Sequence, residues 1–163
     1  MFNSTNLNNK LLTLIERYGV NHVGVRGRNF AMMYLSESHD TRALRTLLNR
    51  GINVHHCDDE GKTLIDYILD LPPSSQKYFQ FVVKKRGVRI TKEIMKKVMR
   101  RASTENKLFI LNRCNEEQLS ALSKYSQRQL TKQKPNSPTR VRIEKNITLI
   151  NKSVINIEFN YLI

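Results

Sequence analysis

The stretch Leu47-Leu48-Asn49-Arg50-Gly51-Ile52-Asn53-Val54-His55-His56-Cys57-Asp58-Asp59-Glu60-Gly61-Lys62-Thr63-Leu64-Ile65-Asp66 decides how the chain folds. It opens as the end of a helix. Two leucines are followed by a basic residue suited to the negative end of the helix dipole. Gly51 can take the left-handed conformation that closes the last turn. Ile52 then starts an extended stretch, and an acidic run leads to Gly61. The spacing Thr63-Leu64-Ile65-Asp66 predicts a capping box at the next helix, with Asp where Glu or Gln is usual. A helix end, a loop and a helix start this close together connect neighbouring helical units.

The closing pattern occurs twice more, in Leu14-Ile15-Glu16-Arg17-Tyr18-Gly19-Val20-Asn21 and Val82-Val83-Lys84-Lys85-Arg86-Gly87-Val88-Arg89. The glycines stand 32 and then 36 residues apart. Between the first two, Phe30 to Leu35 predicts one short helix. Asp40 is expected to cap a second, with Ala43, Leu44, Leu47 and Leu48 on one face. Ile65, Ile68 and Leu69 give the helix after Thr63 its apolar side. Pro72-Pro73 ends it, and Ser74-Ser75 is expected to cap a helix running to about Lys85. A helix pair this small cannot bury its apolar face alone and must stack on neighbours.

These features resemble the ankyrin-repeat family, whose pattern is Gly-x-Thr-Pro-Leu-His-x-Ala, a second helix, then Leu-Leu-x-x-Gly-Ala-Asp-Val-Asn and an acidic turn, about 33 residues in all. Gly61-Lys62-Thr63-Leu64-Ile65-Asp66 matches the opening, with Leu64 for Pro and Asp66 for His. Leu47 to His55 matches the close, Cys57 to Gly61 the acidic turn, and Gly27-Arg28-Asn29-Phe30-Ala31-Met32 is a degenerate opening. The match spans residues 7–113 and is strongest over 40–69. The resemblance implies a protein-binding module that works through loop tips and first helices. Its tips would be residues 20–28, 53–61 and 88–91. The partner-binding residues it implies are Arg26, Arg28, Asn29, Met33, Asn53, His55, His56, Asp58, Asp59, Glu60, Asp66, Asp70 and Arg89.

Lys92 to Ala102 predicts an amphipathic helix: Ile94, Met95, Val98, Met99 and Ala102 span an arc of about 140°, with basic residues opposite. Lys107 to Leu111 predicts its partner helix, and residues from Glu116 to about Leu130 one or two more. From Ser126 to Lys145 the chain is polar, basic and carries Pro135 and Pro138, which reads as a linker. Ile147 to Ile150 and Val154 to Ile163 read as β-rich. The expected fold is therefore all-α. Residues 1–122 form a short ankyrin-like solenoid of about three stacked helix-turn-helix units with atypical capping helices. Residues 123–163 follow as a basic linker and flexible, β-rich C-terminal tail.

The 163 residues carry a net charge of +14, which favours anionic partners and says nothing about fold. Residues 84–101 hold nine basic residues against the single acid Glu93. A second reading follows: binding to nucleic acid or another polyanion through Lys84, Lys85, Arg86, Lys92, Lys96, Lys97, Arg100, Arg101 and the tail. No aromatic residue lies within this stretch and the chain has no Trp, so base stacking has little to work with. The run His55-His56-Cys57-Asp58-Asp59-Glu60 reads as a loop tip rather than a zinc site, because adjacent ligands on an extended loop point apart and no second ligand pair stands at finger spacing. No metal, cofactor or catalytic residue is expected, since no nucleotide-binding, hydrolase or metalloprotease motif occurs.

Cys57 and Cys114 are expected to be free thiols in a reducing compartment. The polar start of the chain shows no secretory signal, and no apolar run is long enough to span a membrane, so a cytoplasmic location is expected. The Asn-, Lys- and Ile-rich composition is of the kind an AT-rich genome encodes. A short ankyrin-like chain of that composition resembles effectors that intracellular bacteria or large DNA viruses direct at host proteins, so the host cell would be the place of action.

Overall fold

In the computed structural model, which describes residues 4–38, 41–85, 87–88 and 90–160, the regular elements are helices. Isolated antiparallel bridges stand where strands would be. Contacts divide the chain into two compact units, Met1–Ile90 and Thr91–Ile163.

The first unit holds α1 (Ser4–Tyr18), α2 (Phe30–Ser38), α3 (Thr41–Asn49), α4 (Leu64–Asp70) and α5 (Phe79–Lys85). α2 packs on α3 and α4, α1 on α3, and α4 on α5. The apolar face read from the sequence is buried: Ala43, Leu44, Leu47 and Leu48 on α3, Leu64, Ile65, Ile68 and Leu69 on α4. Gly19, Gly51 and Gly87 all take positive φ (81°, 83° and 63°), the conformation their place at helix ends demands. Pro72 and Pro73 end α4, but a single 3₁₀ turn, Pro73–Ser75, precedes α5. Buried Gln76 closes α4 by donating to the carbonyl of Leu71 at 3.0 Å. The cap expected at Asp40 lies outside the described residues.

The second unit holds α6 (Lys92–Arg101), α7 (Thr104–Leu111), α8 (Glu116–Leu130) and α9 (Pro138–Asn160). Side-chain caps start α6, α7 and α8. Thr91 Oγ1 accepts from Ile94 N at 3.3 Å, and Ser103 Oγ from Asn106 N at 3.2 Å. Asn115 and Gln118 exchange bonds of 2.9 and 3.0 Å. Met95, Val98, Met99 and Ala102 are buried as the periodicity requires.

The tail is where the expectation needs correcting. The boundary expected at 122/123 falls inside α8, and over the described residues 123–160 the expected linker and β-rich tail is instead the second half of α8, a short turn and the long helix α9. Pro138 starts α9 at its first position, where a missing N–H costs nothing, and Ser137 Oγ accepts from Arg140 N at 3.2 Å. The β-branched residues of α9 lower helix propensity only slightly. Ile143, Asn146, Ile150 and Ser153 recur at helical spacing and are all buried. Packing against α8, the most extensive helix pair in the molecule's described residues, outweighs propensity.

Cys114 is buried beside Met95, its thiol 3.4 Å from the carbonyl of Ile110, and burial pushes its pKa up to about 11. Cys57 is exposed. In a thiol titration of the native chain at pH 8, one cysteine is expected to react at once. The other should react at least about 100-fold more slowly until denaturant is added. Equal native reactivity of both would contradict this packing.

Candidate functional site at the loop tips

After Gly19 the chain forms a hairpin-like tip. Val23 bridges Asn29, Gly24 N donates to Arg28 O at 2.8 Å, and Val25-Arg26-Gly27 make the turn. After Gly51 it does so again. Cys57 bridges Thr63, Asp58 N donates to Lys62 O at 2.9 Å, and Asp59-Glu60-Gly61 make the turn. Each corresponding pair, 23 with 57, 24 with 58, 28 with 62 and 29 with 63, is 34 residues apart. Gly27 and Gly61 share positive φ values of 66° and 71°. The closing glycines are 32 apart, so the second connection carries two extra residues, between Asn53 and Cys57. Among the described residues no such tip follows Gly87. Thr91, the cap of α6, comes four residues later, so residues 88–91, expected as a third tip, leave no length for one.

The two tips stack. Asp59 N donates to Arg26 O at 3.2 Å, and His56 Nε2 donates to Gly27 O at 2.6 Å. Asn53 N donates to Asn21 Oδ1 at 2.7 Å, and Asn29 Nδ2 to Asn53 O at 3.1 Å. A Cβ on Gly27 would stand 2.8 Å from Asp59 N and would also meet Asp59 Oδ1.

Asp58 holds the second tip to α4. Its Oδ1 accepts from the amides of Glu60 (2.9 Å) and Lys62 (2.8 Å), and its Oδ2 from Tyr67 OH (2.7 Å). Burial alone would raise its pKa. The Tyr67 hydroxyl, the two amides and the Lys62 charge outweigh it, so the carboxyl lies below its usual range. Burial, then the bond to Asp58, pushes Tyr67 up to about 12. Arg28 lies against the Tyr67 ring, 5.9 Å from its centre, and donates to Ser36 Oγ at 3.2 Å, while its Nε is buried without a partner.

The implied binding residues therefore separate. Asn29, Asp58 and Asp66 are turned inward, with their polar atoms used by the chain itself. Asn29 Oδ1 caps α2 at Met32 N (3.2 Å), and Asp66 Oδ2 accepts from the amide (2.8 Å) and hydroxyl (3.0 Å) of Thr63. Arg28 and His56 are half-buried, and half-buried Met33 packs its sulfur over Gly24. Arg26, Asn53, His55, Asp59, Glu60 and Asp70 are exposed. Glu60 pairs with Lys62 at 2.6 Å, which holds its carboxyl below the usual range. Arg89 lies outside the described residues. Val25, outside the residues the resemblance implies, is 81% exposed at the crest of the first tip. Its signal was an apolar residue directly before the Arg-Gly turn.

The basic stretch 84–101 spans both units. Lys84 is exposed on α5. Lys92, Arg100 and Arg101 are exposed on α6, where Lys96 and Lys97 are half-buried. Lys96 pairs with Glu93 at 2.8 Å and lies 5.5 Å from the Tyr125 ring centre. Arg86 and the side chain of Lys85 lie outside the described residues. No described helix is long and apolar enough to cross a membrane, and among the described residues no three His, Cys, Asp or Glu side chains converge as a metal ion would need. Comparison with protein-family models, with curated proteins and with solved structures finds no match.

Two stability outcomes test this geometry. Gly27→Ala and Gly61→Ala both force alanine into a left-handed backbone, at about 1–2 kcal/mol each. Only Gly27 also faces another backbone, since nothing described lies within 4 Å of a Cβ at Gly61. Gly27→Ala should therefore cost at least about 1 kcal/mol more in denaturant unfolding; equal losses would refute the stacking. Tyr67→Phe should cost about 1.5–3 kcal/mol at pH 7, the scale of a hydrogen bond to a charged group. A depressed carboxyl stabilises above its unfolded pKa and loses that contribution as pH falls through its folded pKa. The gap between wild type and Tyr67→Phe should therefore narrow as pH drops from about 5 toward 2. A gap constant with pH would separate Tyr67 from Asp58.

Proposed function

We propose that the chain is a non-catalytic, ankyrin-type interaction module that binds a protein partner through its two stacked loop tips. The 34-residue register carries the reading: two hairpin-like tips, closed by equivalent bridges and by equivalent backbone bonds at 24/28 and 58/62, present different side chains from one rigid frame. Val25 and Arg26 on the first tip correspond to Asp59 and Glu60 on the second. An apolar and a basic residue therefore stand beside two acids, a combination suited to a mixed-charge protein surface with a small apolar anchor. Arg26 supports this independently. It is held at φ 59°, where a residue with a side chain pays a backbone cost that glycine or asparagine avoids.

The test separates binding from folding. Arg26→Asn combined with Val25→Ser relieves the strained backbone and changes only exposed side chains, so stability should hold or rise by up to about 1 kcal/mol. A discrete protein retained by wild type from nuclease-treated lysate, at about 150 mM salt, should be lost or weakened at least about tenfold by the double variant. Identical capture by both would sink the tip reading. Capture that appears only when nuclease is omitted, and disappears steeply with salt, would replace it with polyanion binding through the solvent face of α6.

A further inference from the structure

A cavity of about 70 Å³ lies between α6, α8 and α9 in the second unit. Its walls include Arg100, Tyr125, Gln129, Thr139, Arg142 and Asn146, and no acidic side chain lines it. A single water needs about 10–15 Å³ of such space, so the cavity has room for several waters or one compact oxyanion.

The inner wall is built from buried polar groups. Asn146 Nδ2 donates to Met99 O at 2.6 Å, and its Oδ1 accepts from Lys107 Nζ at 3.0 Å. Asn146 keeps a second amide N–H besides the one given to Met99, and an ammonium on the amide oxygen strengthens that donor. Lys107 is 8% exposed. Burial, and then the like charge of Arg142, lower its pKa, and no carboxylate among the described residues offsets it. Buried charges are ordinarily paired, because an isolated one costs several kcal/mol, on the order of the desolvation of an ion. Here three cationic side chains surround or back one cavity, and no carboxylate among the described residues lines it.

We propose that this cavity binds a single phosphate-class oxyanion, held by Arg100, Arg142 and the Asn146 amide, with Tyr125, Gln129 and Thr139 as further donors. Arg142 and Arg100 bring the planar donor fork that matches phosphate oxygens. Lys107 contributes charge from behind Asn146 without touching the ligand. The site differs from a polyanion-tracking helix face, since it is sized for one anion and depends on α8 and α9 as well as α6. Inorganic phosphate and the phosphoryl group of a small phosphomonoester share this chemistry.

The experiment is a titration of the full chain followed by amide NMR, at a fixed ionic strength of about 150 mM so that screening stays constant. The probes are inorganic phosphate, glucose 6-phosphate, and acetate and chloride as controls. Saturable shifts are expected at Tyr125, Gln129, Thr139 and Asn146 with a Kd below about 5 mM. Arg142→Gln and Arg100→Gln, both of exposed side chains, should each weaken binding about tenfold. Lys152→Gln, elsewhere on α9, should not. Tighter binding of glucose 6-phosphate identifies a phosphomonoester as the ligand class, and equal or weaker binding identifies free phosphate. The proposal is overturned if acetate or chloride gives the same shifts, if both arginine variants bind within about twofold of wild type, or if neither phosphate nor glucose 6-phosphate gives saturable shifts.

Discussion

Backbone rests on backbone where the second tip meets the first, and the first unit depends on that contact. Asp59 donates to Arg26 through main-chain atoms, and Gly27 leaves no side chain in the way. Helices as short as α2 to α5 have little stability of their own. Their loops must therefore hold a fixed register for the apolar faces to coincide. Asp58 transmits the register inward, binding two amides of its own turn and the hydroxyl of Tyr67 on α4. Arg28 comes from the first tip to cover Tyr67. Tip, tip and helix are thus one connected set of bonds rather than three adjacent parts.

The second unit meets the same demand differently. Two long helices, α8 and α9, pair along their length, and a polar link replaces stacked loops. Asn146 on α9 ties the last turns of α6, through the Met99 carbonyl, to Lys107 on α7. Both the oxygen and the nitrogen of that amide are engaged, so the link fixes which face of α9 turns inward. An apolar residue there would pack without specifying rotation. Its cost is a buried ammonium, and that cost gives the adjoining cavity its electrostatic character.

Much of the first unit was legible because its signals are local. Glycine at 19, 51 and 87 has one strong use at a helix end, and the Thr63–Asp66 spacing satisfies amides that every helix start leaves open. The inward turn of Asp58 was not legible. An acidic triplet reads as solvated charge until the hydroxyl of Tyr67, nine residues on, is seen to reach one of its members. Asn29 misled in the same way, since a cap and an exposed loop residue share a composition. The tail was not legible, because proline and β-branched residues serve both as breakers and strand formers and, as here, at a helix start and along a packed helix. Ser137-Pro138 is a helix start, and Ile143, Asn146, Ile150 and Ser153 already stood at helical spacing. Two of those four are polar, which hid the buried stripe from a count of apolar residues.

The same distinction between a linear run and a folded surface governs the charge. Nine basic residues between 84 and 101 look like one patch, yet the run crosses from one compact unit into the next. Within α6, Lys96 spends its charge on Glu93 and lies over an aromatic ring, while Arg100 lines the cavity with Arg142, forty-two residues later in the sequence. Arg142 and Lys107 add to that local field although neither belongs to the run. A surplus of positive charge is informative about encounter with anions in general. Which anion is held depends on where the fold gathers cations without acids, and in the described residues of the second unit that place is the inner wall built on Asn146.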